Sequence, residues 1–254
     1  MPRSTTPLPN PSELTVRLAT GAATTALIYE SARHRGQTAA VSDTLPTATL
    51  ILGHGAGTGQ RSAFMVDFAE ALSTLGLDVV TFNFLYTEQG RRIPDRAPVL
   101  EACYRAVIES VHASVASARH ALCVGGKSMG GRIATQVAAA DPQLRVAGLV
   151  LLGYPLHPPG KPAERRDKHL PAIARPILFV QGTRDAFGTP DELAPILRTL
   201  RPAPVVHVVT KGDHSFKLSR KDPAAQAEIY AEAQRAIADF VLQISGFRYQ
   251  TSEI

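Results

Sequence analysis

The chain has little with which to cross-link itself, cross a membrane or grip a nucleic acid. It holds two cysteines in 254 residues. Cys103 and Cys123 lie in apolar surroundings without metal-ligand spacing, so packing explains them better than a disulfide or a metal site, and a reducing compartment fits. No segment approaches the roughly 20 apolar residues of a membrane span, and the opening "MPRSTTPLPNPSE" lacks the apolar core of a signal peptide. A cytoplasmic protein without a membrane partner is expected. Charge of one sign is also scarce: 27 basic residues against 22 acidic leave a net +5. The basic residues fall in short scattered groups, Arg91-Arg92, Arg165-Arg166 and Lys217 to Lys221, whereas a nucleic-acid surface concentrates them on one face among aromatics. No nucleic-acid partner is expected.

What the chain does have is apolar residues, 44% of the total, enough for one sizeable core. A single domain over 13–246 is expected, with tails at 1–12 and 247–254. Leu14 to Leu18 and Thr25 to Tyr29 read as an antiparallel edge hairpin. From Ala48 onward come continuous apolar runs of strand length: "ATLILG", "DVVTFNF", "ALCVGG", "AGLVLLG", "PILFVQG" and "PVVHVVT". Strands apolar on both faces, alternating with amphipathic helices, make a mostly parallel twisted sheet covered on both sides, an α/β fold. Helices are expected at Ser62 to Leu75, Val99 to Ala118, Met129 to Ala140 and Ala224 to Ile244. One long connection, Tyr154 to His169, has little structure of its own, and no insertion is large enough for a full cap.

The stretch "CVGGKSMGGR" admits two chemistries. A phosphate loop needs Gly-x-x-x-x-Gly-Lys-Ser/Thr, but five residues before Gly126 stands Ala121, inside a strand. A nucleophile elbow needs a strand, a serine in a strained turn and an immediate helix, with small flanking residues. Ala121 to Gly125, Ser128 and the helix from Met129 meet that need. A serine hydroxyl requires a histidine base and an orienting acid, here in the chain order Ser, acid, His at later strand ends. Asp185 follows "PILFVQG" and His214 follows "PVVHVVT"; no other histidine of the eight occupies that place. Asp213 would point elsewhere, and Asp191 reads as a helix N-cap. The oxyanion would take the Met129 N–H and, from "GHGAGTG", the Ala56 N–H or alternatively that of Gly55.

The set "GHGAGTGQRSAFM", "GGKSMGGR", "GYPLHPPGKP", "QGTRDAFG" and "GDHSF" resembles the α/β-hydrolase domain of testis-expressed protein 30, subunit 3 of the nonspecific-lethal complex and their dienelactone-hydrolase-like bacterial relatives, from about Thr47 to Ile244. That resemblance implies the α/β-hydrolase fold and the triad Ser128, Asp185 and His214. It implies little about substrate. The expected activity is hydrolysis of an ester or thioester of a small acyl group, in a pocket that is shallow or closed only by the long loop, without metal or organic cofactor. Phe84, Tyr86, Tyr154, His157 and Phe187 follow strand ends and are candidates to border the serine. Arg91, Arg92 and Arg96 are read as a solvated loop rather than an anion trap. The alternative function is a binding or scaffold module on a catalytically weak hydrolase fold.

Overall fold

The computed structural model describes residues 10–33, 48–219 and 222–246. The hairpin is present as β1 (Ser12–Arg17) and β2 (Ala23–Tyr29), paired antiparallel. Strand β1 takes up Ser12, which the sequence had left to the tail; residues 1–9 of that tail and the tail at 247–254 lie outside the described residues.

Then follow β3 (Thr49–Gly53), α1 (Ala63–Thr74), β4 (Asp78–Phe82), the single turn α2 (Leu85–Glu88), α3 (Ala97–Ser114), α4 (Ala116–His120), β5 (Leu122–Lys127), α5 (Met129–Ala140), β6 (Gly148–Leu152), a 3-10 turn at Leu170–Ala172, β7 (Ile177–Gly182), α6 (Pro190–Leu197), β8 (Val205–Val209) and α7 (Pro223–Ile244). The eight strands form one sheet in the order β1-β2-β4-β3-β5-β6-β7-β8, antiparallel only where β2 meets β1 and β4.

Every residue of β3 to β7 is buried, because successive side chains point to opposite faces and both faces are covered. On one face Ile51, Val80 and Val124 pack with Val107 of α3, Ile133 of α5 and Leu193 of α6. On the other, Leu50, Val79 and Cys123 pack with Phe68 and Leu72 of α1 and Ile237 and Val241 of α7. Cys103 and Cys123 are both buried and free, and burial pushes each thiol up to about 12, so both are unreactive packing residues.

Two elements depart from the sequence reading. The run "PVVHVVT" promised a covered strand, yet β8 is the sheet edge and leaves Val205 and Val208 about half exposed. The helix expected over Val99 to Ala118 is interrupted at Val115, whose backbone is extended while its side chain stays in the core. The break lets Ser117 turn inward to bond Thr49 and Asp78 at the start of β3 and β4. No helix among the described residues is long and apolar enough to cross a membrane.

Candidate active site

Strands β3, β5, β7 and β8 deliver their C-terminal ends to one edge of the sheet, the place where open α/β sheets bind ligands. Ser128 follows β5 directly and precedes α5, with φ 51° and ψ −112°. A non-glycine residue held there costs about 1–3 kcal/mol and persists only where its surroundings over-determine it. Those surroundings are backbone: a Cβ on Gly126 or Gly130 would come within 2.2 or 2.1 Å of the Gly53 carbonyl oxygen, so β3 and α5 touch main chain to main chain.

The Ser128 Oγ lies 2.8 Å from His214 Nε2, and His214 Nδ1 lies 2.9 and 2.8 Å from the two carboxylate oxygens of Asp185. The arrangement defines a tautomer: Nδ1–H donates to Asp185, leaving Nε2 to accept from the serine hydroxyl. Asp185 is buried, and its charge is answered by the Phe187 N–H on Oδ1 (2.8 Å) and Gln181 Nε2 on Oδ2 (2.9 Å). The Phe187 ring also stacks on the imidazole at 4.2 Å. Asp213 points away into its own turn, accepting from the N–H groups of Ser215 and Lys217. Asp191 is not the N-cap expected of it. Thr189 caps α6 in a reciprocal box with Glu192, because Pro190 at the first helical position sets the start two residues earlier.

Ala56 and Met129 both line the cavity beside Ser128, and neither N–H donates to a protein acceptor among the described residues. Gly55 is also adjacent: a Cβ there would sit 3.8 Å from Ser128 Cβ. The loop is held from below by His54, a residue the sequence reading passed over. Fully buried, its Nδ1–H donates to the Gly55 carbonyl (2.8 Å) and its Nε2 accepts from the Phe84 N–H (3.2 Å). Burial holds its pKa below the usual histidine value, which keeps that two-sided bond intact near neutrality.

Of the five expected pocket residues, only Phe187 lines the cavity. Phe84 and Tyr86 turn inward and pack around His54, and Tyr154 lies beneath the long loop, where its hydroxyl donates to the Arg166 carbonyl (2.6 Å). His157 is buried with Nε2 3.2 Å from Glu192. Large aromatic surfaces gain more from the core than from an open cleft. The pocket has a volume of about 560 Å³, is open to solvent on one side and is walled in part by Phe64, Met65, Leu100 and Pro155. Arg91, Arg92 and Arg96 are exposed outside it, with Arg91 paired to Asp95 at 2.7 Å.

Lys127, immediately before the serine, was not foreseen as special. Its ammonium is buried without a hydrogen-bond partner, 5.7 Å from the Phe64 ring centre. Burial lowers its pKa to about 8, with Asp185 and Asp213 opposing the shift. The unfolded chain protonates this lysine below its ordinary value near 10.5, the folded chain only below about 8. Between those values the unfolded state binds more protons, so stability rises with pH across the window and carries the full penalty below it. Lys127→Met is therefore expected to raise the Tm at pH 7 by several degrees, at roughly 2–4 °C per kcal/mol for a domain of this size, and by less at pH 9.5. Thermal unfolding at both pH values checks it, and a lowered Tm at pH 7 would contradict it.

A family model described as an alpha/beta hydrolase domain matches residues 46–242. Among solved structures, an alpha-beta serine hydrolase homologue from Coxiella burnetii superposes with a TM-score of 0.67 at 18% identity, over 91% of this chain and 100% of that one. A dienelactone hydrolase from Anabaena variabilis gives 0.64 at 19% identity, over 89% and 97%. A serine hydrolase without lid from Xanthomonas campestris gives 0.65 at 20% identity, over 92% and 98%. At these identities the structures speak for the fold.

Proposed function

We propose, from the premise that this chain belongs to the alpha/beta hydrolase family, that it is a serine hydrolase of carboxylic esters or thioesters of small acyl groups. The observation carrying the proposal is the 2.8 Å contact between Ser128 Oγ and His214 Nε2, with Nδ1 on the buried Asp185 carboxylate. In this reading His214 removes the serine proton as Oγ attacks the acyl carbon. Asp185 holds the imidazole tautomer and stabilises the imidazolium. The N–H groups of Met129 and Ala56 receive the oxyanion. The imidazolium then protonates the leaving alkoxide or thiolate, and water, deprotonated by the same imidazole, releases the acid from the acyl-enzyme. The 560 Å³ cavity has room for a small acyl group together with its leaving group.

The narrower kinship with testis-expressed protein 30 and subunit 3 of the nonspecific-lethal complex belongs to the same proposal, carried by "GYPLHPPGKP". So do a cytoplasmic location, a single domain over 13–246, and a small-molecule acyl substrate with no nucleic-acid or membrane partner. The test is labelling by a fluorophosphonate and turnover of p-nitrophenyl acetate and butyrate, wild type beside Ser128→Ala. Labelling and turnover that vanish with the hydroxyl support the hydrolase. A wild type that neither labels nor turns over supports the binding or scaffold module instead.

A further inference from the structure

The cavity wall carries more positive charge than the chemistry at Ser128 uses. Arg132 stands in the first turn of α5, its N–H donating to the Ser128 carbonyl (3.0 Å), and lines the same cavity as Ser128. Its Nε is buried with no partner, and Nη1 has only a 3.5 Å contact with Gln136. Arg166 reaches the same cavity from the long loop, and its guanidinium has neither a hydrogen bond nor an ion pair among the described residues. Its main chain is fastened twice, by its N–H to the Leu156 carbonyl (2.8 Å) and by its carbonyl to the Tyr154 hydroxyl, so the loop presents it from a fixed base. The neighbouring arginine behaves differently: Arg165 pairs with Asp167.

Burial and the nearby Arg166 charge both hold the Arg132 pKa down, so these two cations stand within repelling range of each other. The one carboxylate on the cavity wall, Asp95, pairs through Oδ1 with Arg91, while its Oδ2 is buried without a hydrogen-bond partner. Lys127 also lines the cavity and adds positive potential there, although its ammonium is buried. Two unpaired guanidinium groups converging on one cleft are unfavourable in the empty protein and become favourable when an anion enters between them.

We infer that Arg132 and Arg166 form a subsite for a carboxylate on the substrate's acyl chain, a few bonds from the scissile carbonyl, so that the preferred substrates are half-esters or half-thioesters of short dicarboxylic acids. This rests on the hydrolase reading above and narrows its substrate class. A guanidinium–carboxylate bond of this kind is worth roughly 10- to 150-fold in binding.

Two measurements test it. The first compares kcat/KM for 4-nitrophenyl hemiglutarate and 4-nitrophenyl pentanoate, esters of equal acyl length that differ by one charge. The anionic ester is expected to be preferred at least about 10-fold, and Arg132→Gln and Arg166→Gln each to lower that ratio by about 10-fold. Arg166→Gln sits on the loop and keeps the test open if Arg132→Gln does not fold. The second measures binding of methyl hydrogen glutarate and methyl pentanoate to the Ser128→Ala protein by calorimetry, where no chemistry is needed. Tighter binding of the acid, lost with either arginine, supports the subsite. Equal binding, or a turnover ratio unmoved by either arginine, overturns it. Should wild type cleave neither ester, the hydrolase reading falls while the binding measurement still decides the subsite.

Discussion

Ser128→Ala is expected to lower kcat toward p-nitrophenyl butyrate by on the order of 10⁶, His214→Ala by a similar factor, and the double variant by hardly more than either. The reason is that the three groups act as one device. Without the hydroxyl the imidazole has nothing to activate, and without the imidazole the hydroxyl stays protonated. Asp185→Asn is expected to cost less, about 10⁴. Its oxygens now accept from His214 Nδ1, Gln181 Nε2 and the Phe187 N–H, three donors around one carboxylate. An amide group there must turn its NH₂ toward at least one of those donors. If it faces the imidazole, the proton shifts to Nε2, the nitrogen that has to accept from Ser128. Single-turnover kinetics with an active-site titration would measure each factor. Losses that multiply in the double variant would mean that the serine and histidine act separately and that the proposed mechanism is wrong.

Gly125→Ala is expected to abolish the folded protein rather than its activity alone. A Cβ on Gly125 would lie 1.8 Å from the Val150 carbonyl oxygen, on the neighbouring strand β6. That contact is backbone against backbone in the middle of a buried sheet, so no side chain can swing aside. Gly125 is further held by Tyr104, whose hydroxyl accepts from its N–H at 2.9 Å and donates to its carbonyl at 2.6 Å. Shifting β5 would break both bonds and move the serine that follows. A cost beyond about 4–5 kcal/mol is expected, enough to leave little soluble native protein. Gly55→Ala is the control: its nearest neighbours would be 3.7 Å away or more, so the fold should be kept. Soluble yield and circular dichroism melts would separate the two, and a Gly125→Ala protein melting within a few degrees of wild type would refute the argument.

The sheet and the elbow were legible because burial on both faces leaves continuous apolar runs, and because a strand, a tight turn and a helix in immediate succession leave a local trace. Asp185 and His214 could be placed by rank order, since each connection starts where a parallel strand ends. Direction was harder to read. Phe84, Tyr86, Tyr154 and His157 do stand beyond strand ends, but whether a side chain then faces the cleft or the core depends on partners distant in the chain, such as His54 or Glu192. The break at Val115 was hidden for the same reason, since the extended backbone there re-aims the chain so that Ser117 meets Thr49 and Asp78. Gln181 did leave a signal: a lone polar residue in "PILFVQG" had to find partners, and one of them is Asp185. Arg132 left none, because an unpaired cation in a cavity looks in sequence like any charge on a helix.

The backbone torsion at Ser128 has a meaning for the history of such chains. Selection for robustness alone would replace a left-handed serine with glycine, which rests in that conformation without cost, and the molecule would gain stability and lose its hydroxyl. At Ser128 the domain therefore gives up part of its margin against unfolding to hold a hydroxyl in place.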